Sequence, residues 1–90
     1  MTALDTLFAI IAINFGDENR TEPTYYGSPA HCFYIDAKIA MTAVRNGKQK
    51  IAKHQLRKLI ALTYAGGEMQ FDDTTGTING FLTELQSAAA

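Results

Sequence analysis

The residues able to do chemistry in this chain are few. It holds two histidines, His31 and His54, and one cysteine, Cys32. His31 and Cys32 are adjacent, the residue types of a base and its nucleophile. Neighbouring residues on a helix or strand point in different directions, however, so the pair does not face itself. Near the start of an apolar segment, Cys32 reads as a small core residue. Zinc takes four ligands of this kind at short spacings, and the supply runs out at three. No metal site and no cofactor are expected.

The acidic turn Asp72-Asp73-Thr74-Thr75-Gly76 suggests a calcium loop, since Asp73 and Glu84 stand at the separation of its first and twelfth ligands. The sixth position would then be Ile78, where the turn requires glycine. Placing Gly76 sixth instead makes Phe71 and Leu82 the end ligands, so both frames fail. Asp72 and Asp73 are consecutive, which is poor geometry for an acid–base pair. Gly66-Gly67 lacks the spaced glycines and the Lys-Ser/Thr pair of a phosphate loop. No triad is visible, and an enzyme is not expected.

Charge carries the clearest signal. Residues 1–36 hold Asp5, Asp17, Glu18, Glu22 and Asp36 against Arg20, a net −4. From Ala37 to Gly67 there is no acid, and Lys38, Arg45, Lys48, Lys50, Lys53, Arg57 and Lys58 give +7. Residues 68–90 return to −4 through Glu68, Asp72, Asp73 and Glu84. Such segregation points to an acidic partner for the middle of the chain, unless the acidic ends fold onto it.

The elements that must position these groups follow from periodicity and caps. The 90 residues have 47% hydrophobic and 19% charged content, which suits one small globular domain over 1–90. Leu4, Leu7, Phe8, Ile11 and Phe15 recur at helical spacing over 3–15, with Thr2 and Asp5 approximating a capping box and Gly16 as a stop. Ile10 and Ile13 fall outside that face, so this helix is apolar nearly all round and suits an oligomer contact or the centre of a core. Residues 16–28 read as a loop.

Ser28-Pro29 and Asn46-Gly47 frame a helix over 29–46, with Phe33, Ala37, Ala40, Met41 and Val44 on one face and a polar stripe of Tyr34, Lys38 and Arg45. The same residues also alternate, and Asn-Gly is a strong hairpin signal. A hairpin needs a matching strand after Gly47, and Lys48 to Gln55 does not alternate usefully, so the helix is favoured.

Over 49–65, Ile51, Ala52, Leu56, Leu59, Ile60, Leu62 and Thr63 fill one half of a helical wheel, with Gln55 the intruder. Lys50, Lys53, His54, Arg57 and Lys58 fill the other half, and Gly66-Gly67 ends the element. Ile78, Phe81, Leu82 and Leu85 predict a helix over 78–88, weakened at Gly80, with Ala88 to Ala90 fraying.

The expected architecture is therefore mainly α, a compact bundle of about four helices. The alternative is α+β, with a hairpin around 32–48 and a short strand pair around 68–79.

Two surfaces remain for function. Lys50, Lys53, His54, Arg57 and Lys58 form a basic helix face with no acid to pair them, suited to an acidic protein surface or to phosphates. Tyr25 and Tyr26 sit beside Pro23 and Gly27, where loop tyrosines often anchor a partner. The leading expectation is a non-catalytic binding protein, an inhibitor or adaptor that docks on an acidic or nucleic-acid-facing surface of a larger assembly. The alternatives are direct nucleic-acid binding through the same face, against which a pI near 6.0 counts, and a homo-oligomeric subunit assembled through the first helix. No secretory start and no membrane span are expected, so the location is taken as cytoplasmic.

Overall fold

A computed structural model describes residues 3–15 and 27–90. The expected contributions of Thr2 and Gly16, and of Tyr25 and Tyr26, lie outside the described residues. Four helices follow in order: α1 (Ala3–Phe15), α2 (Pro29–Arg45), α3 (Gln49–Thr63) and α4 (Thr77–Ala89), with a 3-10 turn at Ala65–Gly67 between the last two. Among the described residues there is no strand. The mainly α bundle is the architecture of the chain, and neither the hairpin at 32–48 nor the strand pair at 68–79 forms.

The reason lies at the caps. Ser28 has extended backbone and its Oγ accepts a hydrogen bond from the His31 N–H at 3.1 Å, while Pro29 occupies the first turn, where a missing N–H costs nothing. At the other end Gly47 adopts φ 70°. The Gly47 N–H bonds the Val44 carbonyl and the Lys48 N–H bonds the Ala43 carbonyl, at 3.1 and 2.8 Å. This crossed pair is a Schellman motif. Asn46-Gly47 therefore closes a helix rather than turning a hairpin, because the carbonyls it satisfies belong to the preceding helical turn.

α3 ends at Thr63, short of the expected boundary, and the two glycines come after it. Gly66 and Gly67 take φ 66° and 82° and turn the chain away, while the Gln70 N–H returns to the Thr63 carbonyl at 2.8 Å. α4 starts under a side-chain cap supplied from outside the helix. Asp73 Oδ1 accepts from the Ile78 N–H at 2.6 Å and Oδ2 from the Asn79 N–H at 3.2 Å. The acidic turn that resembles a calcium loop thus serves the start of a helix, whose free N–H groups and dipole favour a carboxylate.

α1 and α3 both pack on α2 and α4. The core gathers Leu7, Ile10 and Ile11 of α1, Phe33, Tyr34, Ala37 and Ala40 of α2, Leu56 and Leu59 of α3, and Ile78, Phe81, Leu82 and Leu85 of α4. Phe71, in the connection before α4, meets Phe33 edge to face at 5.6 Å. A second, alanine-lined contact joins Ala43, Ala52 and Ala89. The radius of gyration is 12.2 Å, close to the roughly 12 Å that compact chains of this length show.

Several expected placements are corrected. Ile10 is buried with Leu7 and Ile11, while Ile13 is 58% exposed, so α1 has an outer side. Tyr34 belongs to the core, not to a polar stripe: its ring stacks on Phe8 at 5.8 Å with Lys38 Nζ 5.9 Å from its centroid. Cys32 is exposed, because α2 turns Phe33, Ala37 and Ala40 inward and leaves position 32 on its outer side. At the C-terminus α4 continues through Ala88 and Ala89. Ala89 is buried and the Ala90 carbonyl accepts from Gln49 Nε2 at 3.2 Å.

Candidate functional site

The site begins with a division of α3. Ala52, Leu56, Leu59 and Thr63 are buried, and the one hydroxyl among them is satisfied within the helix, Thr63 Oγ1 donating to the Leu59 carbonyl at 2.7 Å. Anchoring one side this firmly fixes the rotation of the helix. Lys50, Lys53, His54, Arg57 and Lys58 are then all exposed on the other side.

Helical geometry arranges the five in two rows. Lys50, His54 and Lys58 are four residues apart along one row, and Lys53 and Arg57 form a second beside it. At 1.5 Å of rise per residue the patch is about 12 Å long. Lys53 and Arg57 also line a cleft of about 200 Å³ between α3 and α4, together with Leu56, Ile60, Gln86 and Ala89. That row therefore borders apolar surface, whereas the other faces solvent.

The described acids do not neutralise this patch. None of the five side chains makes an ion pair with a described residue. Asp73 is taken up by the start of α4. Asp72 accepts from the hydroxyl and the N–H of Thr74, at 2.5 and 3.0 Å, and these two bonds hold its carboxyl below the ordinary value. Glu84 lies with Arg45 in a separate cleft between α2 and α4. Of the acids in 68–90, Asp72 and Asp73 are engaged locally, because short Asp side chains reach nearby N–H groups more readily than a distant lysine.

Among the described residues no group of three His, Cys, Asp or Glu side chains converges as a metal site would require. Tyr34, expected beside Lys38 and Arg45 on the polar side of α2, is buried and offers no ring to a partner. Ile39 and Ile51 were missed as surface residues: they are 39% and 47% exposed. The wheel does contain the signal for Ile51. His54 and Lys58 follow it at three and seven residues, so it stands at the border of the basic arc and not at the centre of the apolar one. Gln55, which intrudes on the apolar half, is half-buried with its Oε1 lacking a hydrogen-bond partner.

No described helix is long and apolar enough to cross a membrane. No known protein family, curated protein or solved structure matches the chain.

Proposed function

We propose that this chain is a non-catalytic binding protein, a stoichiometric inhibitor or adaptor that docks through α3 on an acidic surface of a larger assembly. One observation carries the reading. Five basic or titratable side chains, Lys50, Lys53, His54, Arg57 and Lys58, share the exposed side of one helix that has no acid of its own. Exposed helix faces usually mix both signs, which keeps their field small. An unmixed face steers an acidic partner from beyond contact distance, with a reach of about 8 Å at physiological salt. Lys53 and Arg57 would supply the closest pairing, since the cleft beside them lets part of the contact lose water.

A protein surface is favoured over a nucleic acid by two features. The chain is close to neutral overall, at −1, and the exposed Ile51 stands at the border of the patch. The homo-oligomer reading finds less support in α1, because Leu7 and Ile10 are buried within the bundle.

The test is charge reversal at Lys53→Glu/Arg57→Glu, substitutions on exposed positions that should leave the helical circular dichroism intact. Partners captured by the wild type, quantified by mass spectrometry, should be lost from the variant. An unchanged set would end the proposal. Fluorescence anisotropy with single- and double-stranded oligonucleotides at two salt concentrations separates the nucleic-acid reading. That reading requires binding whose log K falls by roughly 0.9 per phosphate neutralised on a duplex as log salt rises, and its loss in the variant.

A further inference from the structure

Three large apolar side chains are exposed among the described residues: Ile13, Ile39 and Ile51. Singly scattered apolar residues on a surface are ordinary. Ile39 and Ile51 are not scattered. They come from different helices and line one cleft of about 290 Å³ between α2 and α3. From this cleft we propose that the protein grips an acidic segment of a protein partner by seating one of its aliphatic side chains between Ile39 and Ile51. The inference rests on the reading of α3 as the docking helix and extends it to the partner's chemistry.

The cleft is a built feature. Behind it Ala43 and Ala52 are buried against each other's helices, and the Schellman turn at Asn46-Gly47 ties the end of α2 to the start of α3. Small residues in the seam bring the helices close, and the turn holds their relative position, so the two isoleucines are presented at a fixed separation. Such presentation lowers the ordering cost of binding.

Charge selects the occupant. Lys38 and Lys48 line the cleft and no acid does. Asp36, one turn before Ile39, lies outside it. Beyond Ile51, His54 and Lys58 continue on the same side of α3. The complementary ligand is therefore an aliphatic side chain flanked by carboxylates. A nucleic acid matches the cations but not the cleft: bases stack on aromatic rings or guanidinium planes, and the lining contains neither. A second copy docked cleft to cleft would set Lys38 and Lys48 against their own equivalents.

The test uses the full chain, labelled with ¹⁵N, and three ligands. One is a short synthetic peptide with leucines four residues apart and glutamates between them. The second replaces every leucine with glutamine, and the third is a short DNA duplex. The leucine peptide should shift the amides of Ile39, Thr42 and Ile51 and bind about tenfold more tightly than the glutamine peptide, as burial of one partly exposed aliphatic contact implies. Ile51→Ser should remove that advantage. Lys53→Glu/Arg57→Glu should weaken both peptides alike.

Equal binding of the two peptides, or an advantage that survives Ile51→Ser, overturns the proposal while leaving the basic-face reading standing. Cleft shifts produced by the duplex, or by concentrating the protein alone, overturn it in favour of nucleic acid or a second copy. Glutamine-peptide binding that ignores Lys53→Glu/Arg57→Glu instead removes the basic-face reading.

Discussion

Asn14, in the last turn of α1, holds the backbone of Asp72 from both sides: its Oδ1 accepts from the Asp72 N–H and its Nδ2 donates to the Asp72 carbonyl, at 2.5 and 3.4 Å. One amide side chain thereby does for the connection before α4 what a neighbouring strand would do for a sheet. The same Nδ2 donates to the Ile10 carbonyl at 3.1 Å, which holds the side chain in place.

Asn14→Ala should therefore cost about 1 kcal/mol of stability, the usual net worth of a hydrogen-bonded contact that water can partly replace. The more specific readout is amide exchange. The Asp72 N–H should exchange faster in the variant, with α3 amides unchanged. Unaltered protection at Asp72 would show that the connection is held by Phe71 packing alone.

Asp73 is the cap of α4, with one carboxylate oxygen on the Ile78 N–H and the other on the Asn79 N–H. Asp73→Ala should lower stability by about 1 kcal/mol, within the range of side-chain caps. Asp73→Asn keeps an acceptor but loses the charge that favours a helix start, and should fall between. Thermal or urea unfolding followed by circular dichroism orders the three proteins. A variant as stable as the wild type would assign the start of α4 to Gly76 and packing.

Acid should act on the same turn through Asp72. The Thr74 hydroxyl first, and the Thr74 N–H second, stabilise its charged form and depress its pKa. A carboxylate depressed in the folded state contributes stability above its unfolded pKa. That contribution fades as pH falls below about 4 and is gone once pH passes the folded value. Thr74→Val removes the larger donor, so the Asp72 titration followed by NMR should move up toward the ordinary carboxylate value. An unmoved midpoint would show that the backbone N–H suffices.

Gly80 stands in the first half of α4, exposed, and a β-carbon built there meets nothing within 4 Å. Gly80→Ala should stabilise the protein by about 0.5–1 kcal/mol, chiefly by restricting the unfolded chain. A melting temperature that falls instead would mean that the helix needs the glycine for a contact absent from this structure.

The sequence by itself determined what depends on residues close in the chain. Helical period and cap stereochemistry are local, so Ser28-Pro29 and Asn46-Gly47 located α2, and the α3 wheel separated Ala52, Leu56 and Leu59 from Lys50, Lys53, His54, Arg57 and Lys58. The charge pattern was legible for the same reason: it needed only the helical angle between residues.

Burial is different, because it belongs to pairs of elements. Which flank of α3 the neighbouring helices cover decides that Ile51 faces solvent, and the same holds for the outward Cys32, the inward Ile10 and Tyr34, and the anchored Ala89. The grip of Asn14 on Asp72 joins residues from opposite ends of the chain, and no local rule relates them. The cleft between Ile39 and Ile51 exists because α2 and α3 meet through alanines, so the candidate site became complete only when the helices were placed side by side.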